Sequence, residues 1–340
     1  MNRRSVSDLL PAAVRILSLL ALAILGSGPV NASPRGEESR LSSSVAAALA
    51  GLVREKSQAL VRIHCRDDAG EVIGTGFLVD PAGTVCTLTD FVRGGGLLVE
   101  ADGKSQPATL IAADERTGIA FLRIAAATPA FIQPFPSAGL PAVSPIAAIR
   151  TASGGENAPP TPLLGVAVGK IDRVGERFFP VPLIKAMLPA PGSRPGTPVF
   201  DLSGKFAGLV VLPRLDDDSS AILPASAVEK LHGDLIRFGR PNPGWIGAIV
   251  EEAAVPEGTS RTRVDAVEPG SPAERAGILP GDYVLSIGNR TIVKPQEVLE
   301  ASFYLAAGDQ VRLLLSRNGR MRQLALRCIP VPGSPFLTRQ

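Results

Sequence analysis

The sequence predicts a mainly β protein in two domains, a large one of short strands closed into barrels or a sandwich and a compact second one. Three observations carry this. The 340 residues include 35 glycines and 31 prolines, and few apolar periods are long enough for helices. Short alternating segments recur between turn signals from Ala59 to Leu212. Arg240-Pro-Asn-Pro-Gly244 then breaks the pattern, as a linker does, and a unit with a different signature follows. The length suffices for two separate cores.

The boundaries follow from composition. Residues 1–32 read as an export signal, with Arg3, Arg4 and Arg15 ahead of the apolar run Ile16–Leu25 and small residues Val30-Asn31-Ala32 before Ser33. That run of about ten residues is short of the roughly 20 that span a bilayer, so cleavage is expected rather than a retained anchor. The leader carries three arginines against Asp8, which accounts for +2 of the net charge of +3. The mature chain is therefore close to neutral, and nucleic acid is not an expected partner. The three cysteines should stay unpaired, because the strand register sets Cys65 across from Val72 and Cys86 across from Phe77.

In order, residues 33–57 read as a polar, disordered start to 43 and then a short helix over 44–57. The first domain spans 58–238. Its opening strand, Ala59–Cys65, alternates so that Val61, Ile63 and Cys65 share one face while Arg62, His64 and Arg66 share the other. Strands follow at 71–79 and 84–89 across the turns Asp67–Gly70 and Asp80–Gly83, then at 97–101, 107–113, 119–124, 144–150 and 164–173. Pro198–Phe200, Phe206–Leu212 and a helix at 226–238 complete the domain. After the linker 239–243, the second domain at 244–330 shows strands near 245–248 and 263–267, and the turn and short helix of Pro269–Gly277. A turn and strand over Pro280–Gly288, a helix at 296–306 and a hairpin about Asn318-Gly319 follow. Residues 331–340 form a tail.

Five stretches, in one order and at consistent spacing, carry a resemblance. They are Gly74–Gly83, Asp114–Ile124, the hairpin Gly196–Leu209, Ala221–Pro224 and the whole 244–328 unit. On these the chain resembles the HtrA/Deg family, which implies a trypsin-like double β-barrel followed by a C-terminal PDZ domain. The family cleaves proteins with a Ser-His-Asp triad. Laid on its motifs, the His slot falls on Asp90, the Asp slot on Gly118 and the Ser slot on Pro195. Proline has neither a hydroxyl nor an N–H, so the last change removes the nucleophile and one oxyanion-hole donor together.

The histidines agree with that loss. Only His64 and His232 exist, one on the outward face of the first strand and one on the helix closing the first domain; both are expected to be exposed or edge residues. Ser193, two residues before the slot, is the remaining hydroxyl, with Asp90 as a conceivable but poor base. The chain is thus expected to be a pseudoprotease; the alternative is an active envelope endopeptidase with an unconventional site at Ser193 and Asp90. No cofactor or metal motif is present.

The PDZ unit keeps the features of a peptide binder. The resemblance implies that the loop about Trp245, Ile246, Gly247 and Ala248 holds a peptide carboxylate through backbone N–H groups. The helix at 296–306 forms the other wall through Val298 and Ser302. Val298, Ala301 and Leu305 are expected to face the domain core, while Leu299 and Phe303 suit either core packing or a partner-facing patch. The implied partners are C-terminal or unfolded segments of other envelope proteins, with an active HtrA relative as a further candidate, in the periplasm. Family members commonly form trimers through aromatic residues ahead of the barrel, and residues 33–60 contain none.

Overall fold

The computed structural model describes residues 34–332, except 68–69, 102, 126–129, 135–139, 142, 152–158, 190–193 and 255–259. The predicted leader, most of the tail and Ser193 lie outside the described residues. Two compact units emerge. One comprises the chain up to Ile111 with Gly118–Ile171 and Ile184–Ser226, the other Ala112–Thr117, Asp172–Leu183 and the chain from Ala227 onward.

Helix α1 (Pro34–Lys56) begins about ten residues before the expected start, so 34–43 is helical rather than a disordered approach. Proline suits a first helical position, where its missing N–H has no intrahelical partner to lose. Strands β1 (Leu60–Asp67), β2 (Gly70–Leu78), β3 (Thr84–Leu88), β4 (Gly95–Ala101), β5 (Lys104–Asp114) and β6 (Ile119–Ile124) close into a barrel in the order β1-β2-β3-β6-β5-β4. The register pairs Cys65 with Val72 and Phe77 with Cys86, as the alternation predicts. Val61, Ile63, Cys65, Phe77, Val85 and Leu122 are buried.

A second barrel follows from β7 (Ser144–Arg150), β8 (Thr161–Val174), β9 (Arg177–Met187), β10 (Pro198–Asp201), β11 (Phe206–Leu212) and β12 (Ser220–Pro224), closed as β10-β11-β12-β9-β8-β7. Strand β9 has no counterpart in the sequence reading, because Pro180 and Pro182 argue against a strand interior. Both lie outside Ile184–Ala186, the part of β9 paired with β12, so no ladder donor toward that neighbour is lost. Ile146, Ala148, Val199, Val210 and Ile222 form a cluster in this barrel. Phe206 sits 5.1 Å from the Phe77 ring of the first barrel and 6.1 Å from Phe200, contacts worth about 1 kcal/mol each beyond simple burial.

Helix α2 (Ala225–Phe238) leads into the second domain. The segment expected as a linker is not a free tether. Asn242 N–H donates to Asp234 at 3.0 Å, Asn242 and Ala307 exchange two further hydrogen bonds, and Pro243 bridges Ala306. Beyond it, β13 (Gly244–Trp245) pairs with β20 (Ile329–Pro330). A sheet runs β14 (Ala248–Ala254), β15 (Ser260–Val267), β16 (Tyr283–Ile287), β18 (Gln310–Arg317), β19 (Arg320–Arg327), with β17 (Arg290–Thr291) on β16. Helices α3 (Pro272–Arg275) and α4 (Pro295–Phe303) complete the domain. The β18–β19 hairpin turns on Asn318 and Gly319, both at positive φ, which is the two-residue turn that Asn-Gly favours. Among the described residues, no helix is long and apolar enough to cross a membrane.

Candidate functional site

Three short segments meet where a trypsin-type centre would lie. The first is the end of β3 and the single helical turn Thr89–Phe91. Thr89 N–H donates to Gly118 O at 2.8 Å, which seats the Asp slot beside the residue preceding Asp90. Gly118 itself takes φ +78°, in the left-handed region that costs a side chain energy, so the backbone there has settled on glycine. The third segment is Arg194–Thr197. The Phe91 ring lies against Gly74 and Gly196, occupying the space a side chain at either position would need. Thr89 and Phe91 thus join the segments that hold Asp90, Gly118 and Pro195.

The nucleophile slot has a specific geometry. Thr197 N–H donates to Arg194 O at 3.1 Å, and Gly196 has φ +84°. With proline at the second position and a positive-φ glycine at the third, residues 194–197 form a type II turn. Gly196 N–H and Val210 N–H close it onto β11, donating to Val210 O (2.8 Å) and Thr197 O (2.9 Å). Pro195 therefore sits where its fixed φ suits the turn, and it supplies neither hydroxyl nor N–H.

Asp90 is 73 % exposed and paired with Arg93 at 3.2 Å. His64 lies on the outer face of β1, across from Ile73 and Leu98, and its ring nitrogens are taken by Glu71 (3.0 Å) and Glu100 (3.3 Å). His232 is buried in α2, not exposed as the sequence suggested, because the apolar face of that helix turns it inward. The cysteines are buried and unpaired; burial pushes the Cys86 thiol far up, and burial with nearby Asp309 pushes Cys328 to about 11, so neither of these two is a thiolate nucleophile.

The second site is the loop and groove of the small domain. Ile246 O accepts from Ala273 N–H (2.8 Å) and Gly247 O from Glu268 N–H (2.9 Å), so the loop carbonyls are drawn onto the start of α3 and the turn before it. Among the described residues, the N–H groups of Ile246 and Gly247 donate to nothing. Gly247 has φ +79°, and a Cβ there would stand 2.2 Å from Ser271 Cβ. Strand β14 is the edge of its sheet, and α4 runs alongside it and β13. Trp245, Ala248 and Ser302 are half-buried; Ile246 and Val298 are buried in the domain core. Leu299 is 48 % exposed, whereas Phe303 is buried against Tyr304, so the apolar patch open to a partner is Leu299 alone of that pair.

Two closed barrels followed by a sheet-and-helix domain with an open edge strand define a trypsin-like peptidase domain joined to a PDZ domain. Family models agree: residues 74–209 match the trypsin-like peptidase domain and residues 263–317 the PDZ domain. The two domains in this order, with these matches, support the HtrA/Deg family. It is 24% identical over 275 residues to a probable periplasmic serine endoprotease, DegP-like, of Halomonas elongata, covering 77% of this chain and 57% of that protein. A protein of the same description in Brucella suis is 25% identical over 277 residues, with 76% and 53% covered. The chain spans little more than half the length of these relatives. Among solved structures, the HtrA-type protease AlgW with a tripeptide superposes with a TM-score of 0.68 at 19% identity, over 84% of this chain and 98% of that one.

Proposed function

We propose that this protein is an exported, periplasmic, non-catalytic HtrA-type protein that binds C-terminal or unfolded segments of envelope proteins through its PDZ domain, with the double barrel as scaffold or regulatory surface. The observation that carries the reading is Pro195 at the second position of a type II turn in the nucleophile slot. Loss of the nucleophile or the histidine alone costs about 10⁶ in turnover in the serine protease where this was measured. Here Gly118 and Asp90 fill the other two slots and Pro195 removes an oxyanion donor as well, so no route to acyl transfer remains. The DegP-like and AlgW relatives support a periplasmic setting and a peptide ligand.

In the PDZ domain a peptide would extend the sheet along β14, its terminal carboxylate meeting the two unengaged N–H groups of Ile246 and Gly247. The half-buried Ala248 and Ser302 leave a small and undemanding pocket for the last side chain.

Two measurements test this. A fluorophosphonate probe should leave the full chain unlabelled, and unfolded casein should stay intact; label on Ser193 would establish the unconventional protease instead. A C-terminal peptide library should yield binders whose affinity falls at least about tenfold when the terminal carboxylate is amidated, since a charge-assisted hydrogen bond is lost. Binders indifferent to amidation would remove the carboxylate-capture role. Gly247→Ala should abolish that binding and lower stability by about 2 kcal/mol, from the positive φ and the overlap with Ser271. Peptide titration and denaturant unfolding of the variant check both parts.

A further inference from the structure

The β18–β19 hairpin lies outside the peptide groove and the peptidase slots. It is the most polarised surface of its domain. Residues 244–332 carry ten basic and ten acidic side chains, yet Gln310–Arg327 holds five arginines and no acid: Arg312, Arg317, Arg320, Arg322 and Arg327. Among the described residues, the side chains of Arg312 and Arg320 form neither a hydrogen bond nor an ion pair. Four consecutive residues, Arg320-Met-Arg-Gln323, are exposed.

The tip of this hairpin also presents apolar side chains. Met321 is 68 % exposed between Arg320 and Arg322. Arg317, next to the Asn318-Gly319 turn, bonds Asp282 and Gly277 O, which fixes the 277–282 loop and its 50 % exposed Leu279 at the same end of the domain. Arg322 belongs to that end too, since its charge bears on Asp282.

Charged residues on an edge strand often serve only to block strand pairing. That role concerns Arg320, Arg322 and Arg327, which stand on the edge strand β19. It would leave no reason for Met321 and Leu279 to be exposed beside them. We propose that the tip of the β18–β19 hairpin is a docking surface for an anionic phospholipid membrane, with Met321 and Leu279 entering the headgroup region and Arg320 and Arg322 meeting lipid phosphates. Guanidinium groups bind phosphate in bidentate fashion, and amphipathic surfaces of this kind bind by apolar burial combined with attraction to anionic lipid. A nucleic acid or other polyanion would satisfy the arginines but give Met321 and Leu279 nothing to enter. The surface is independent of whether the barrel is catalytic.

The test is sedimentation of the full chain with vesicles of phosphatidylcholine, alone or with about 30% phosphatidylglycerol; the leader contributes equally to every variant. Binding should need the anionic lipid and weaken as salt rises, because screening shortens the reach of the charges. Arg320→Gln with Arg322→Gln should lower partitioning about 25-fold, near fivefold for each guanidinium. Met321→Ser should lower it about tenfold, as expected for losing a buried apolar side chain. Arg320→Lys with Arg322→Lys, which keeps the charge, should retain most of the binding, and an unchanged unfolding midpoint in each variant separates these losses from misfolding. Equal binding of wild type and the double Gln variant to anionic vesicles would overturn the proposal. So would retention on heparin with no preference for anionic over neutral vesicles, which would mark a polyanion site instead.

Discussion

Gly196→Ala is expected to cost about 4 kcal/mol or more, a large part of the roughly 5–15 kcal/mol that holds a typical domain folded. Two effects add. At φ +84° any residue with a Cβ carries about 1–2 kcal/mol of backbone strain. The new Cβ would also stand 2.2 Å from Thr75 O, a backbone atom with no flexible end to move aside. Thr75 O is itself held, accepting from Thr87 Oγ1 at 2.9 Å, and Gly196 N–H is held by Val210 O. Neither partner can retreat without breaking a buried hydrogen bond. Pro195→Ala provides the contrast: it touches the neighbouring residue of the same turn but changes mainly the freedom of the unfolded chain, at a cost below about 1 kcal/mol. Denaturant unfolding of the two variants beside wild type reads the difference. A Gly196→Ala chain within 1 kcal/mol of wild type would show that the Arg194–Thr197 turn is not closed onto Thr75.

The same turn separates what the sequence made legible from what it did not. That Pro195 lacks a hydroxyl and an N–H is a property of the residue, visible without coordinates. The alternation of β1 and β2 likewise fixes which residues face each other, so the Cys65–Val72 register could be read directly. What alternation does not encode is contact between distant segments. That Phe91 fills the space beside Gly74 and Gly196, or that Thr89 holds Gly118, follows only from the closed barrel. Strand β9 was hidden because Pro180 and Pro182 mimic a break, and their cost vanishes only where no β12 partner needs a donor. The linker looked like a tether because its Pro-Asn-Pro composition is that of one. The bonds from Asn242 to Asp234 and Ala307 reach 8 and 65 residues away, beyond any local pattern. In the PDZ domain, Phe303 could have faced a partner or the core at equal helical spacing, and only packing decides for the core.

Another long-range pair should carry a comparable effect. Arg317, 35 residues from Asp282 in sequence, clamps its carboxylate with Nε at 2.6 Å and Nη2 at 2.7 Å, while Leu279 N–H donates to the same group at 2.9 Å. Asp282 is 1 % exposed as a side chain and Arg317 20 %, so the two partners are not equivalent. Arg317→Leu leaves a buried carboxylate with one backbone donor and should cost about 3 kcal/mol, toward the lower end for breaking a buried pair. Asp282→Asn frees an arginine that can turn to solvent and should cost about 2 kcal/mol. Replacing both, Asp282→Asn with Arg317→Leu, should cost less than the sum of the single changes, because each single change strands the other partner. The pair also sets a pH dependence. Burial pushes the Asp282 carboxyl up, but the Arg317 hydrogen bonds, the Leu279 N–H and the positive charges of Arg317 and Arg322 outweigh it, and the net shift is downward. A carboxyl held below its unfolded value of about 3.9 adds stability above that pH, and the contribution disappears as pH falls through the lower folded value. Wild type should therefore lose its advantage over Asp282→Asn progressively as pH falls from about 5 through the unfolded value and on through the lower folded one, while the two stay a constant distance apart near neutrality. Unfolding midpoints measured across that range decide it, and a gap that does not narrow on acidification would mean that the carboxylate is not ionised in the folded domain.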